Sequence, residues 1–348
     1  MAKARRDPES FDLPVEKIRA GYYSDKYFVR TREILDAQTQ HPHVLMQVFA
    51  RRAGVLCGVD EAIAIIKRCS VGWAPKIQAL RDGDRIGKME VVMTIEGGFP
   101  SFAHLETVYL GVLARSTSIA TNVAEVVEAA DGKSVLFFPA RFDHYAVQES
   151  DGYAALIAGV SGVSTDANGA WMDVVGLGTI PHALIAAYSG STVDACQAFH
   201  DVIDGSVKRI ALVDFENDSV RTSLEVAYRL RGDLWGVRLD TSGSMVDVSV
   251  DAYNEESFGV CPELVWKVRK ALDDAGFGHV KIIVSGGFNA EKVRLFNKLG
   301  VPYDGIGVGS TFFRDRTDFT ADIVMVDYTP CAKVGRGIWD HSRLSLVE

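Results

Sequence analysis

Two glycine-rich stretches in the last quarter of the chain have the residue types that hold a phosphate group. They are SGGFN at 285–289 and GVGS at 307–310. Each follows a short apolar run that predicts a strand, and Asn289 predicts the start of a helix after the first stretch. Glycine lets the backbone approach an anion closely, and a helix N-terminus offers free N–H groups. The predicted phosphate-binding residues are Gly286, Gly287, Gly307, Gly309 and Ser310.

Charged side chains stand at the ends of two earlier apolar runs. RIALVDF at 209–215 contains Asp214, and WGVRLD at 235–240 contains Arg238 and Asp240. Arg238 and Asp240 are two residues apart, so both can point to one face of a strand. Carboxylates in this position can bind ribose hydroxyls or a Mg²⁺ ion that bridges diphosphate oxygens. The alternative is a purely structural Arg–Asp pair.

Two other segments carry candidate functional side chains. His182 lies in GLGTIPHALI at 176–185, where an imidazole near a phosphate could act as acid, base or phosphoryl acceptor. In FPAR at 138–141, Phe138 could stack on a flat ring and Arg141 could hold a phosphate or carboxylate. A packed histidine, and a core aromatic beside a surface arginine, are the alternatives from spacing alone.

The elements that would position these residues alternate along the chain beyond residue 130. Short apolar runs recur, and amphipathic segments of helical length separate most of them, such as 220–230, 263–275 and 290–299. Repeated strand–helix units with nearly continuous apolar strands indicate a parallel sheet or barrel. Such folds place their chemistry at the carboxyl ends of the strands, where these polar residues stand. Ordinary turn residues would give a similar pattern at any single strand.

Composition limits the class of protein. The 348 residues are 47% hydrophobic with a net charge of −9, which argues against broad nucleic-acid or membrane binding. The five cysteines are scattered without zinc spacing, which favours free thiols in a reducing compartment. Neither a signal peptide nor a membrane-spanning run is recognisable, so the sequence predicts a cytoplasmic protein.

Taken together and in order, the motifs resemble those of nicotinate phosphoribosyltransferases and their nicotinamide-using relatives. The motifs that carry the resemblance are SDKYF at 24–28, LETVYL and IAT within 105–121, FPAR, GTIPH, LVDFEND, VRLDTSGS, SGGFN, GIGVGS and PCAKVGRG at 330–337. The resemblance implies an irregular TIM-like α/β barrel at 121–320 and an N-terminal α+β domain at 1–120. The returning C-terminal segment, 321–348, would join that N-terminal domain.

The resemblance also implies a reaction. Nicotinate and phosphoribosyl diphosphate would give nicotinate mononucleotide and diphosphate, as a step of NAD biosynthesis or salvage. ATP would be a cosubstrate, and its hydrolysis would be coupled to transfer through phosphorylation of His182. Asp214 and Asp240 would position the diphosphate and its Mg²⁺, and no structural zinc is expected. The enzyme would be a homodimer or larger oligomer with shared active sites.

Roles for individual residues follow from the same resemblance. Tyr27 would stack on the pyridine ring from the partner subunit, opposite Phe138. Arg141 and Arg238 would hold the carboxylate, phosphate or diphosphate, and Thr179 would join the glycine loops in holding the 5′-phosphate and ribose. Ser164 stands where amide-using relatives have an aspartate, which favours an acid as substrate, although a shift of two residues to Asp166 would reverse that argument.

Four alternatives stay open at this point. A nicotinamide phosphoribosyltransferase would place an aspartate at the ring. A quinolinate phosphoribosyltransferase, acting with decarboxylation, would need more basic residues around the ring and would not need His182. A barrel isomerase or aldolase would need a lysine or glutamate at a strand end. A non-catalytic sensor of phosphoribosyl diphosphate would not need the charged strand ends.

Overall fold

The computed structural model describes residues 4–251 and 255–348, which form two compact units. The first unit comprises residues 1–122 and 315–348, and we call it the antiparallel unit after its main sheet. The second unit comprises residues 123–314, and we call it the parallel unit.

The helices and strands are numbered in chain order. The helices are α1 (Val15–Arg19), α2 (Lys26–Ala37), α3 (Val59–Cys69), α4 (Glu106–Ala129), α5 (Gln148–Ile157), α6 (Asp166–Gly169), α7 (His182–Ala187), α8 (Thr192–Val202), α9 (Ser219–Leu230), α10 (Pro262–Asp274) and α11 (Ala290–Lys298). The strands are β1 (His43–Ala50), β2 (Gly54–Val55), β3 (Lys76–Ala79), β4 (Arg85–Ile86), β5 (Val91–Gly98), β6 (Ser134–Phe137), β7 (Gly162–Val163), β8 (Arg209–Leu212), β9 (Leu234–Leu239), β10 (Lys281–Val284), β11 (Gly305–Val308), β12 (Phe319–Val326), β13 (Thr329–Pro330) and β14 (Ser345–Leu346).

The antiparallel unit is built on a six-stranded sheet in the order β13-β12-β1-β5-β3-β14. Strand β12 comes from the C-terminal part of the chain and pairs along the whole second half of β1, from Met46 opposite Ile323 to Ala50 opposite Phe319. The apolar face of α3, with Ile63 and Ile66 fully buried, belongs to the same core cluster as the strands. Burying each such side chain contributes roughly 1.5–3 kcal/mol relative to leaving it exposed.

The parallel unit contains a six-stranded sheet in the order β7-β6-β11-β10-β9-β8, and every neighbouring pair is parallel. Its central strands are buried over most of their length, as in β11, where all four residues are buried. Strands that are covered on both faces must be almost continuously apolar, which explains the runs seen in the sequence. The predicted fold class is confirmed: the fold is mixed α/β, with a parallel half-barrel sheet and an N-terminal α+β unit.

Within residues 4–251 and 255–348, every helix is too short or too polar to cross a lipid bilayer.

Candidate functional site

The carboxyl ends of four adjacent strands, β8 to β11, bring the predicted polar residues to one edge of the parallel sheet. Asp240 and Ser285 directly follow β9 and β10, and Gly309 directly follows β11. Asp214 lies two residues beyond β8, and its neighbour Val213 donates its backbone N–H to the carbonyl of Arg238. Because parallel strands end at the same edge of a sheet, residues far apart in sequence meet there.

Asp240 lies beside the first glycine loop (SGGFN, residues 285–289) and is held by a hydrogen bond from it. The Ser285 hydroxyl donates to Oδ1 of Asp240 at 2.8 Å and to the Leu239 carbonyl at 3.1 Å. Gly286 covers this pair with a φ of +83°, and a Cβ atom there would be 3.2 Å from the Thr241 carbonyl oxygen and 3.5 Å from Oδ1 of Asp240. Glycine at 286 therefore meets both a backbone requirement and a space requirement.

Asp214 pairs with the histidine that begins α7. Nε2 of His182 is 3.2 Å from each oxygen of the Asp214 carboxylate. The histidine side chain is 47% exposed and the aspartate side chain only 8% exposed. Burial raises the pKa of Asp214, the nearby His182 lowers it, and the charge of Asp240 raises it further. The carboxylates of Asp214 and Asp240 are thus close enough to interact electrostatically.

Arg238 is the central cation of this edge. Burial lowers the pKa of its guanidinium, the carboxylates of Asp240 and Asp214 raise it, and the charge of Arg141 lowers it. In the part of the chain that the structure describes, its buried Nε has no hydrogen-bond partner. A buried donor without a partner lowers the stability of the folded state. Such a donor is therefore a candidate for a hydrogen bond to a ligand or to water.

The two predicted phosphate loops differ in what surrounds their glycines. Gly287 has a φ of +74°, and no heavy atom lies within 4 Å of the position that its Cβ would occupy. A Cβ on Gly307, in contrast, would be 2.8 Å from Cδ2 of Phe138. A Cβ on Gly309 would be 2.8 Å from Cε2 of Phe142. The first loop therefore has free space beside Gly287, whereas the glycines of the second loop contact the rings of Phe138 and Phe142.

The first loop leads into α11, and a side chain links it to the second loop. Asn289 accepts the N–H of Lys292 at 2.8 Å, so its predicted role as the N-cap is confirmed. Ser310 begins a short 3-10 helix, Ser310–Phe313. Within that helix the Thr311 hydroxyl donates to the Phe288 carbonyl at 3.0 Å. The link fixes the spacing between the two loops.

The other predicted residues lie as follows. Ser164 directly follows β7 and is half-buried, and Thr179, which is also half-buried, precedes α7. Asp166 is occupied in a loop contact, since its carboxylate accepts the N–H of Gly176 at 2.9 Å. Tyr27 belongs to the antiparallel unit, is 60% exposed on α2 and donates its hydroxyl to Asp25 at 3.3 Å.

Sequence reasoning did not predict roles for Phe142 and Thr311. Both residues act across the sheet edge, on partners 167 and 23 positions away in sequence (Gly309 and Phe288). The available signal for Phe142 was its place directly after FPAR, one residue beyond a candidate arginine.

The donors at this edge suit a magnesium ion that is held largely by its substrate. Asp214 and Asp240 supply carboxylate oxygens, which Mg²⁺ prefers. Among residues 4–251 and 255–348 there is no group of three or more His, Cys, Asp or Glu side chains that could cage a metal alone. A carboxylate pair completed by diphosphate oxygens fits that donor set.

Comparison with known proteins identifies relatives over most of the chain. The family model described as "Quinolinate phosphoribosyl transferase, N-terminal domain" matches residues 25–117, and the corresponding C-terminal domain matches residues 119–313. The crystal structure of nicotinate-nucleotide pyrophosphorylase from Pyrococcus furiosus is similar, with a TM-score of 0.83 and 32% sequence identity. That similarity covers 97% of this chain and 85% of the other.

Curated nicotinate phosphoribosyltransferases are also similar, at lower identity. The Bacillus subtilis (strain 168) enzyme is 28% identical over 233 residues, which is 67% of this chain and 44% of that enzyme. A Mycobacterium tuberculosis enzyme is 27% identical over 252 residues, which is 70% of this chain and 52% of that enzyme. The chain spans about half the length of these curated relatives.

These comparisons correct several expectations drawn from the motifs. Assignment to the nicotinate phosphoribosyltransferase family is wrong, because quinolinate family models match 25–117 and 119–313. The expectations of nicotinate transfer, of ATP as cosubstrate with coupled hydrolysis and of a phosphohistidine at His182 are wrong for the same reason. The resemblance rested on short motifs, whereas the family models match long stretches of the chain. The chain belongs to the quinolinate phosphoribosyltransferase family.

Proposed function

We propose that this chain transfers the phosphoribosyl group of phosphoribosyl diphosphate to quinolinate, with loss of CO₂. The products would be nicotinate mononucleotide and diphosphate. The observation that carries the proposal is the half-buried Arg238, whose Nε has no partner among the described residues and whose charge lies near that of Arg141. Family membership supports the same reaction.

Quinolinate is a flat ring with two adjacent carboxylates, and the site offers matching groups. Arg141 and Arg238 supply two guanidinium groups, which bind carboxylates in a bidentate manner. Phe138 lies against Gly307 and is half-buried, so its ring can pack on a pyridine face. Two cations that lie near each other would bind a pyridine diacid better than a pyridine amide.

The phosphoribosyl part would lie along the first loop. Gly287 is open, and the nine-residue helix α11 begins three residues later, so backbone N–H groups can bind the 5′-phosphate. Asp214 and Asp240 would hold ribose hydroxyls and Mg²⁺. When bound, Mg²⁺ would supply positive charge to the departing diphosphate.

The chemistry needs positioning more than covalent help. The pyridine nitrogen bonds to C1 of the ribose as the bond from C1 to the diphosphate oxygen breaks, and positive charge develops on the sugar. Asp214 and Asp240 place negative charge near that centre. The bond between ring C2 and its carboxylate then breaks, CO₂ leaves, and the electron pair stays on C2 and takes a proton. Release of CO₂ favours the products, so the transfer requires no ATP. His182 would orient the Asp214 carboxylate through its contact with both carboxylate oxygens.

The active form is proposed to be a homo-oligomer in which Tyr27 reaches the pyridine site of a partner subunit. In support, Tyr27 is exposed and α2 contains no buried residue. Mixing Tyr27→Ala with Arg238→Gln subunits would restore part of the activity, because some sites in the mixture would contain neither change. If light scattering shows a monomer, or mixing restores nothing, the shared site is wrong.

Turnover with labelled quinolinate tests the reaction. The protein, phosphoribosyl diphosphate and Mg²⁺ are incubated without ATP with quinolinate labelled at its C2 carboxylate, and labelled CO₂, mononucleotide and diphosphate are measured. We expect equal amounts of all three products. Arg238→Gln should abolish turnover, whereas Arg294→Gln, a change of an exposed arginine on α11, should not. Mononucleotide from nicotinate but none from quinolinate would overturn the proposed acceptor.

A further inference from the structure

The segment after β6 seats an aromatic ring on the second glycine loop. Phe142 is 48% exposed, yet its ring edge lies directly against Gly309. A Cβ atom at 309 would be 2.8 Å from Cε2 of Phe142 and 3.6 Å from both Cδ2 and Cζ. Only a residue without a side chain leaves room for the ring in this place.

The guanidinium group of Arg141 packs over the ring of Phe142. Its guanidinium carbon is 5.2 Å from the centroid of the Phe142 ring, within the range of a cation–π contact. In the described part of the chain, Arg141 has no ion pair with a carboxylate. The aromatic contact therefore restricts a long side chain that would otherwise sample many rotamers.

The backbone of this segment is tied down beside the ring. Phe138 donates its N–H to the Val308 carbonyl at 2.8 Å, and Phe142 donates its N–H to the Pro139 carbonyl at 2.8 Å. Phe138 and Phe142 then lie on Gly307 and Gly309 respectively. The segment is thus fixed to the second loop at two points, and Arg141 lies between them in sequence.

We propose that Phe142, seated on Gly309, is a positioning residue that holds Arg141 ready for a carboxylate of the pyridine substrate. This inference rests on the proposed function and extends it to the affinity for the acceptor. The charge of Arg141 acts on Arg238, so a displacement of Arg141 would separate the two cations that bind the diacid. Preorganisation of this kind affects binding of the acceptor more than the chemical step.

A kinetic cycle tests the inference in the active enzyme. Phe142→Leu should raise KM for quinolinate about two- to fivefold, as expected for loss of an exposed cation–π contact, and leave kcat nearly unchanged. Phe142→Tyr keeps the ring and should restore the wild-type KM. In an Arg141→Gln background, Phe142→Leu should have no further effect. An unchanged KM in Phe142→Leu, or additive effects in the double variant, would overturn the inference.

A spectroscopic test separates this inference from the proposed reaction. In protein with ¹⁵N-labelled arginine, the Nε–H resonance of Arg141, assigned by its loss in Arg141→Lys, should be shifted upfield by the ring. Phe142→Leu should remove the shift and Phe142→Tyr should keep it. Tyr145→Leu, a change of a 78% exposed aromatic residue in the same segment, is the matched control and should have no effect. A wild-type resonance without the shift would overturn the positioning role even if quinolinate turns over. If quinolinate does not turn over, the shift alone decides whether Phe142 positions Arg141.

Discussion

The two glycine loops look alike in sequence and differ in the structure. In the first, Gly286 and Gly287 have φ values of +83° and +74°, and the position beside Gly287 is open. In the second, the faces of Gly307 and Gly309 are occupied by the rings of Phe138 and Phe142. The same residue type thus serves backbone conformation and access in one loop, and space for aromatic side chains in the other.

This difference assigns the loops different tasks. The first loop offers backbone to an anion and covers Asp240, to which Gly286 is adjacent. The second loop offers no comparable open face at Gly307, because Phe138 fills it. We infer that the first loop holds the phosphoribosyl group and that the second holds the aromatic side chains that meet the pyridine ring.

Among the changes that compare the two loops, the largest effect should come from Asp240, which lies beside Gly286 of the first loop. Asp240→Asn keeps an oxygen that can accept from the Ser285 hydroxyl but removes the charge. We expect kcat/KM to fall about 10²–10³-fold, since one electrostatic contact to the developing charge is worth about 3–4 kcal/mol. Initial rates at varied phosphoribosyl diphosphate would measure the loss.

The matched control for this change lies at the other end of the same strand. Asp233 immediately precedes β9 and is exposed, so Asp233→Asn should leave kcat/KM within about twofold. Equal losses in the two variants would show that Asp240 acts through general stability and that the first loop covers no catalytic charge.

A change in the second loop should mainly affect stability. Gly307→Ala would place a methyl group 2.8 Å from the Phe138 ring. Overpacking of this kind typically costs about 1–3 kcal/mol of the free energy of unfolding. Urea denaturation would measure it, and Phe138→Leu in the Gly307→Ala background should recover most of the loss. If Gly307→Ala is as stable as the wild type, the ring is not seated on this glycine.

The sequence predicted elements well and contacts poorly. Strand–helix alternation placed α9 to α11 within one residue at each end, because burial periodicity is a local property. At the start of α3, Gly58 is the N-cap residue and Asp82 accepts the N–H of Val59. Asp60, the second residue of this helix, pairs with Arg5, 55 residues away. A local sequence pattern does not reveal partners that are this far apart along the chain.

The candidate site shows the same limit. Polar residues at the strand ends predicted that the candidate site lies at one edge of the sheet. At that edge the charge of Asp240 raises the pKa of Asp214, and both carboxylates raise the pKa of Arg238. The seating of Phe142 on Gly309 joins residues that are 167 positions apart, so it becomes visible only in the folded chain. The resemblance indicated the wrong family because it rested on short motifs, whereas the quinolinate family models match residues 25–117 and 119–313.

A smaller effect is expected in the first loop itself. Gly287→Ala meets no neighbouring atom, so its cost is the left-handed backbone alone, about 1 kcal/mol. The new methyl group would occupy the open face, so KM for phosphoribosyl diphosphate should rise more than KM for quinolinate. Gly300→Ala, which also has a positive φ and open surroundings, is the matched control and should change stability alone. Equal changes in both KM values would contradict the division of tasks between the loops.

The smallest expected effect concerns the pH dependence contributed by Asp214. Burial raises the pKa of Asp214 above its ordinary value of 3.8, so the folded chain keeps this proton to higher pH than the unfolded chain does. The contribution of Asp214 to stability therefore falls as pH rises from 3.8 through the raised pKa, and it stays unfavourable above that pH. Asp214→Asn should consequently show a small rise in Tm at neutral pH, with the gain disappearing in acid.

An aspartate with the opposite shift provides the control for that measurement. Hydrogen bonds from Ser206 lower the pKa of Asp204, which is fully exposed, so Asp204→Asn should lose stability at neutral pH and not in acid. Calorimetric scans of both variants between pH 3 and 8 would compare the two signs. If Asp214→Asn is less stable than the wild type at neutral pH, the carboxylate is held by favourable contacts. In that case burial of the Asp214 carboxylate would not destabilise the free protein.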